Sequence, residues 1–228
     1  KENSIDQNKN QEILRYISNC KFNSEIELLR RNKNLGCKVA ISSAIDWFFE
    51  KEESGIILEE DLIPSSSFFL FCDYALNKYK NIREIMMVSG TNYLGENIIS
   101  NKYVYSQHYL IWGWATWKRA WQLYDVSMKN WLDENVKNKI KKRYNKLEYK
   151  FLNEKFNSFF SNYSDTWDIQ WYFSCIENNG LTIMPETNLV TNIGMIGTHS
   201  TQYYKTLFLK KNEIDIDKII PPKKIIRD

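Results

Sequence analysis

Three consecutive carboxylates directly follow a short apolar run in the first third of the chain. Gly55 precedes the run Ile56-Ile57-Leu58, and Glu59-Glu60-Asp61 comes immediately after it. The run is short and rich in β-branched residues, which predicts a strand buried on both faces at the centre of a parallel sheet. Open α/β sheets bind ligands beyond the carboxyl ends of their strands, where these carboxylates would lie. The feature therefore predicts an α/β fold with a ligand site at this strand end.

Helices and strands are predicted to alternate around this run. Helical spacing of apolar residues predicts helices at 11–18 and 39–49, and residues 26–29 are predicted as a strand. After Pro64, serines that can cap a helix precede another helical pattern, and residues 85–88 form a second buried-strand candidate. This alternation favours an α/β fold with a largely parallel central sheet.

The second half of the chain has a less regular pattern. Residues 103–106 are a strand candidate, and apolar residues step by three or four from Val136 to Phe151. We therefore predict one long amphipathic helix from Asp133 to about Lys155, within a helical insertion at 133–165. Its other face is basic, with Lys139, Lys141, Lys142, Arg143, Lys146 and Lys150. Such a face is either simply solvated or attracted to an anionic membrane or a phosphate-bearing acceptor.

Length, charge and cysteine spacing narrow the class of protein. The chain has 228 residues without an internal repeat or linker, which predicts a single domain. A net charge of +3 gives no indication of a nucleic-acid binder. No apolar run reaches the length of a membrane span. The four cysteines have no metal-type spacing, so we expect reduced, packed thiols and a cytoplasmic protein, with peripheral contact at the inner face of a membrane as an option.

The carboxylate triplet favours a bound cation. Like charges repel, so three neighbouring carboxylates at a crowded strand end are more favourable with a cation between them. Oxygen ligands select a hard ion such as Mg²⁺ or Mn²⁺, which commonly uses one or two carboxylates together with substrate phosphates. The alternative is an exposed acidic turn before the N-terminus of the next helix, where carboxylates are favoured anyway.

The stretch from Gly55 to Phe69 resembles the strand, acidic motif and following helix of GT-A glycosyltransferases. The likeness is to the inverting N-acetylglucosaminyltransferase I type and its bacterial relatives, and it extends over about residues 26–204. Further similar segments follow in order at 88–92, 112–121, 165–168, 180–186 and 192–200. The resemblance implies one GT-A domain over 1–228, with a Rossmann-like, mostly parallel sheet flanked by helices. The first βα unit of that fold is expected to precede residue 1, so the chain would begin inside a longer protein.

The resemblance also implies roles for six acidic and histidine side chains. Asp61 would ligate the metal. His199 would reach the metal or a diphosphate oxygen once its loop closes, or would simply be a solvated loop residue. Glu60 and Glu59 would contact the nucleotide-sugar or support the metal. Asp168 is the candidate general base, with a helix cap as its alternative role; its neighbour in the segment, Asp165, is the fallback base.

Donor and acceptor contacts are predicted from loop and aromatic residues. The loop at 31–38 is basic and contains a glycine, which suits a sugar-nucleotide or simply a charged surface. Its candidate donor contacts are Arg31, Asn34, Gly36 and Lys38. The candidate acceptor contacts are Trp112, Trp114, Trp117 and Asn92. Trp114 and Trp117 lie three apart, as on one helix face, so at least one is expected in the core.

These expectations combine into a predicted activity. The chain would transfer a sugar from a nucleotide-diphosphate sugar, UDP-linked by preference, to a glycan, lipid-linked or protein acceptor with inversion, using Mn²⁺ or Mg²⁺. One alternative is a nucleotidyltransferase or a metal-dependent phosphohydrolase, although His108 and His199 are the only histidines, which counts against a hydrolase metal centre. The other is a catalytically degenerate domain that binds a glycan or a partner.

Overall fold

The computed structural model describes residues 4–21, 23–93, 103–161, 165–194 and 210–222. The chain divides into two compact units, Lys1–Asn34 and Leu35–Asp228. The first unit contains helix α1 (Ser4–Asn19), which confirms the helix predicted at 11–18. The strand predicted at 26–29 is wrong, because this segment has no regular structure and its apolar side chains Ile26 and Leu28 are about half exposed.

The second unit is a mixed α/β structure. Its helices are α2 (Gly36–Lys51), α3 (Ser66–Tyr79), α4 (Lys118–Trp121), α5 (Glu134–Lys141), α6 (Lys146–Ser161) and α7 (Asp168–Glu177). Its strands are β1 (Ser54–Ile57), β2 (Leu62–Pro64), β3 (Ile85–Ser89), β4 (Tyr103–Ser106), β5 (Trp114–Trp117), β6 (Leu181–Pro185) and β7 (Val190–Asn192). Helices therefore form at all the predicted places, and β1, β3 and β4 lie where strands were predicted.

The main sheet has five strands in the order β1-β5-β3-β6-β4, and helices flank it. Only the β3–β6 pair is parallel; β1–β5, β5–β3 and β6–β4 are antiparallel. The prediction of a mostly parallel sheet is therefore wrong. A separate two-stranded antiparallel sheet pairs β2 with β7.

Two strands run against the other three, β4 at one edge of the sheet and β5 inside it. Since β1 and β3 are both antiparallel to β5, they run in the same direction as each other, and β6 runs with them. The predicted alternation of strands and helices therefore identified β1 and β3, which run in one direction. It did not identify β5, which lies between them and runs in the opposite direction. Insertion of β5 also leaves β1 at the sheet edge and half-buried, not buried on both faces as predicted.

The tryptophan-rich segment explains why β5 was missed. Trp114 and Trp117 lie on a strand, where residues three apart point to opposite faces, and not on one face of a helix. Trp114 packs in the core cluster with Trp171 and Phe173, whereas Trp117 packs in the cluster with Phe68. The two indoles therefore fill two different cores, one on each face of the sheet.

The long helix predicted from Asp133 to about Lys155 is two helices. The side chain of Asn145 accepts hydrogen bonds from the backbone N–H groups of Leu147 and Glu148, both at 3.0 Å. The Glu148 carboxylate accepts one in return from the Asn145 N–H at 3.1 Å. This reciprocal pair is a capping box, which begins a new helix although the apolar spacing continues across the break.

Local packing agrees with two smaller predictions. The Ser65 hydroxyl accepts a hydrogen bond from the Phe68 N–H and caps α3, as its position after Pro64 indicated. All four cysteines are free thiols, and Cys72 and Cys175 are fully buried among apolar side chains.

Candidate functional site

The three carboxylates occupy the turn that joins β1 to β2. Glu59 is half-buried and Glu60 is exposed, while Asp61 is half-buried at the start of β2. The Leu62 N–H donates to the Glu59 carbonyl at 3.2 Å, which closes the turn. The triplet therefore lies at the carboxyl end of β1, as predicted.

The backbone that follows β7 lies close to Asp61 and holds it in place. The Asp61 carbonyl accepts a hydrogen bond from the Ile193 N–H at 2.8 Å, just beyond β7. A Cβ on the next residue, Gly194, would collide with the Asp61 carboxylate, so glycine allows this carboxylate its present position. The other carboxylate oxygen, Oδ1, is buried and accepts no hydrogen bond from the described residues. A buried carboxylate oxygen without a donor is costly, which marks it as a candidate ligand atom.

Glu59 links the triplet to a segment more than a hundred residues away. Burial, followed by the charges of Asp61, Glu60 and Asp168, raises the pKa of Glu59 to about 7. A hydrogen bond from the Trp167 side chain opposes this rise. The β1–β2 turn and the start of α7 therefore converge on one acidic site.

Asp168 is the first residue of α7. It is half-buried, and the Thr166 hydroxyl donates a hydrogen bond to its Oδ1. In the described part of the chain, no group donates to Oδ2. A carboxylate at a helix N-terminus is stabilised by the backbone N–H groups there. Its second oxygen remains available to accept a proton from a ligand.

Asp165, the fallback base, is a cap for a different helix. Its Oδ2 accepts from the Cys37 N–H at 2.7 Å and its Oδ1 from the Lys38 N–H at 3.1 Å. These N–H groups begin α2, whose own preceding residue, Leu35, supplies no side-chain cap. Asp165 therefore satisfies the start of α2 across the fold.

Gly36 owes its identity to this cap. Its φ of +74° lies in the left-handed region, and an added Cβ would lie 2.5 Å from Asp165 Oδ2. The predicted contact of Gly36 with a nucleotide-sugar is thus not needed to explain the glycine.

Replacing Asp165 tests its role as a cap. We expect Asp165→Ala to lower the free energy of unfolding by about 1 to 2 kcal/mol, the usual cost of losing a capping carboxylate. Urea denaturation measures the change. The matched control is Asp133→Ala, because Asp133 caps α5 with one hydrogen bond of 2.8 Å, away from the acidic site. An Asp165→Ala variant as stable as the parent would contradict the assignment.

The first turn of α2 borders the acidic site. Burial and then the charges of Glu59, Asp165, Asp168 and Glu60 raise the pKa of the Cys37 thiol. The Cys37 thiol is therefore protonated at neutral pH when no cation is bound. This turn is a third segment at the site, besides the β1–β2 turn and the start of α7.

Lys155 was not predicted as a site residue. Its ammonium nitrogen lies 4.6 Å from the ring centroid of Tyr172, one helical turn after Asp168. Burial lowers the pKa of Lys155, and the charge of Asp168 raises it. The sequence indicated it only as the end of the predicted helix. The buried neighbours Leu152 and Phe156 turn it toward α7. Its spacing from those two residues is the signal that could have identified it.

The predicted acceptor residues are mostly structural. Trp114 and Trp117 are only 1% and 3% exposed, so neither presents a ring face to solvent. Asn92 is buried, and its side-chain N–H group donates to the carbonyls of Pro185 and Glu186 at 3.0 and 2.9 Å. Trp112 is the predicted acceptor tryptophan that remains partly exposed.

The remaining predicted contacts are Arg31, Asn34, Lys38 and His199. Arg31 and Asn34 are exposed residues of the first unit. Lys38 lies on α2, with its ammonium 5.6 Å from the ring centroid of Phe159. The fourth, His199, lies outside the described residues.

The described residues supply at most part of the coordination shell of a metal ion at this site. Among the described residues, no three His, Cys, Asp or Glu side chains are arranged to hold a metal ion by themselves. Mg²⁺ commonly takes one or two carboxylates and completes its shell with water and phosphate oxygens. Asp61, with its unpartnered Oδ1, fits the role of such a single carboxylate ligand.

The raised pKa of Glu59 predicts a pH-dependent stability. The pKa of a glutamate in the unfolded chain is 4.5, whereas the pKa of Glu59 in the folded protein is raised to about 7. Between these two pH values the folded protein therefore binds more protons than the unfolded chain. Stability is therefore lost as the pH rises through this window. We expect Glu59→Gln to be more stable than the parent at about pH 8, with the advantage fading by about pH 5. Thermal denaturation in chelator-containing buffer measures this. Glu52→Gln, at an exposed carboxylate before β1, should show no such trend.

No protein-family model matches the chain, and no curated protein matches it significantly.

Proposed function

We propose that this chain is a metal-dependent glycosyltransferase that moves a sugar from a nucleoside-diphosphate sugar to a hydroxyl acceptor with inversion. The acceptor would be a glycan, a lipid-linked sugar or a protein. The observation that carries the proposal is the convergence of the β1–β2 carboxylates with Asp168, through Glu59. The ordered resemblance to GT-A enzymes of the N-acetylglucosaminyltransferase I type supports it. The mixed α/β fold is compatible with a GT-A domain.

The donor side is assigned to the β1–β2 turn. Asp61 would hold Mn²⁺ or Mg²⁺ through its unpartnered Oδ1, together with the donor's phosphate oxygens. Such an ion supplies a Lewis acid against the charge that develops on the departing nucleoside diphosphate. Glu60 is exposed beside Asp61 and would accept hydrogen bonds from the donor's ribose hydroxyls.

The acceptor side is assigned to the start of α7. Asp168 would take the proton of the acceptor hydroxyl with its Oδ2, while the hydrogen bond from Thr166 orients the carboxylate through Oδ1. The acceptor oxygen forms a bond to the anomeric carbon as the bond to the diphosphate breaks. The diphosphate leaves with the electron pair. Attack from the face opposite the leaving group inverts the anomeric configuration.

Lys155 is assigned as the cation beside Asp168. Burial lowers the pKa of the Lys155 ammonium, and the negative charge of Asp168 opposes this lowering. In its protonated form Lys155 would place a positive charge next to the proposed general base.

Isothermal calorimetry of nucleoside diphosphates tests the proposal. UDP and GDP are each titrated into the protein, once in the presence of Mn²⁺ and once in the presence of a chelator. We expect UDP to bind only with Mn²⁺, because phosphates complete the ion's coordination at a single protein carboxylate. Absence of metal-dependent binding of either nucleotide would overturn the proposal and favour a degenerate domain. The acidic triplet would then be an ordinary turn.

A further inference from the structure

Helix α6 exposes two large apolar side chains on its outer face. Leu147 is 79% exposed and Phe151 is 61% exposed, and they lie four residues apart, side by side on one face. The opposite face of α6 buries Leu152 and Phe156 in the core. The exposed pair is therefore not part of the packing that holds α6 to the domain.

Exposed lysines surround this apolar pair in sequence. They come from the end of α5, the turn after it and the first half of α6: Lys139, Lys141, Lys142, Lys146 and Lys150. Over residues 139–154 the exposed carboxylates are Glu148 and Glu154, of which Glu154 pairs with Lys150 at 3.8 Å. Lysines thus outnumber carboxylates by five to two. We call Leu147, Phe151 and these five lysines the basic face.

We propose that the basic face binds the surface of an anionic lipid bilayer. Leu147 and Phe151 would enter the boundary between headgroups and acyl chains, and the lysines would lie at the lipid phosphates. Helices that lie on membranes combine lysines with exposed Leu, Phe or Trp in this way. Basic residues near an anionic leaflet add attraction that acts within a Debye length.

Charge selects this occupant over a second copy of the chain. A symmetric dimer through the basic face would bring its lysines opposite one another. Like charges across an interface disfavour association. A bilayer offers negative phosphates and an apolar layer at the same surface, which matches both parts of the face. Within the described residues, no helix is long and apolar enough to cross a membrane, so the contact is with the surface.

The basic face lies on the helix that supports the acceptor side. Lys155 of α6 contacts Tyr172 of α7, and Phe156 packs on Phe173, while α7 begins with Asp168. Resting on the proposed function, this position favours a lipid-linked acceptor over a soluble glycan.

Vesicle co-sedimentation tests the proposal on the full-length chain. One set of vesicles is pure phosphatidylcholine, and the other contains equal parts of phosphatidylcholine and phosphatidylglycerol. We expect binding to the anionic vesicles at least tenfold tighter, weakening as salt is added. Replacing Lys142 and Lys146 by alanine should weaken it by about fivefold for each lysine. The double variant Leu147→Ser/Phe151→Ser should reduce it by at least as much.

A matched apolar pair provides the control. Phe69 and Leu70 on α3 are 45% and 57% exposed, but residues 59–77 contain no lysine or arginine. Phe69→Ser/Leu70→Ser should leave vesicle binding unchanged. Equal binding to both kinds of vesicle, or binding unaffected by Leu147→Ser/Phe151→Ser, would overturn the proposal. Light scattering that shows a dimer lost in that variant would assign the face to self-association. Because no nucleotide is present, these outcomes are independent of the donor-binding test.

Discussion

Asp168→Asn is expected to reduce sugar transfer by about 10²- to 10⁴-fold, the usual contribution of a positioned general base. The amide keeps the size of the side chain and the oxygen that accepts from Thr166. It cannot take a proton from the acceptor hydroxyl. The loss should therefore fall on the maximal rate and not on donor affinity. Initial rates of nucleoside-diphosphate release at saturating acceptor measure it.

Two comparisons separate this effect from a disturbed fold. Calorimetry should show that Asp168→Asn binds UDP and Mn²⁺ as tightly as the parent. Asp165→Asn, three residues earlier, retains an oxygen that can accept from the Cys37 N–H, so it should retain most of the activity. If Asp168→Asn turned over at the parental rate, Asp168 would be only the first residue of a helix.

Asp61→Ala is expected to abolish metal-dependent nucleotide binding, with a loss of two orders of magnitude or more in affinity, on the order of several kcal/mol. The metal would lose its protein carboxylate, since the described residues offer no group of three ligands to replace it. Calorimetry with UDP measures the loss with Mn²⁺ and with chelator. Parental affinity with full metal dependence would rule out Asp61 as the ligand.

The same variant is expected to be at least as stable as the parent without metal. It removes the buried Oδ1 that lacks a donor, and such groups cost about 1 to 3 kcal/mol. Loss of function with unchanged or higher stability is typical of a binding site. Urea denaturation in chelator measures this, with Glu52→Ala as an exposed control. A large loss of stability in Asp61→Ala would instead assign Asp61 a structural role.

The periodicity of apolar residues in the sequence located the helices and strands whose formation depends on residues close together in the chain. α3 was predicted because its apolar spacing and the Ser65 cap are both local, and β3 because residues 85–88 form a continuous apolar run. The place of β5 between β1 and β3 was not predictable in this way. The position of β5 is decided by the packing of Trp114 and Trp117 into two different cores. The spacing of neighbouring residues in the sequence does not show this packing.

The sequence indicated which residues belong to the candidate site better than it indicated what each of them does. Glu59 and Asp168 were selected separately, and their proximity depends on the arrangement of β1 and α7. Asp165 was assigned as an alternative base because its helix partner lies far away in sequence. Lys155 was not identified because its position near Asp168 depends on how α6 packs on α7, which the sequence pattern does not give.

The long-range cap on α2 has a consequence for the order of folding. Asp165 and Cys37 are separated by 128 residues, so the start of α2 gains its cap only after a long loop closes. On the ribosome, α2 would emerge well before the residue that completes it. Contacts of such high sequence separation tend to slow folding, and those that form late mainly control the rate of unfolding. Substitutions at Asp165 should therefore shorten the lifetime of the native state while leaving the refolding rate nearly unchanged.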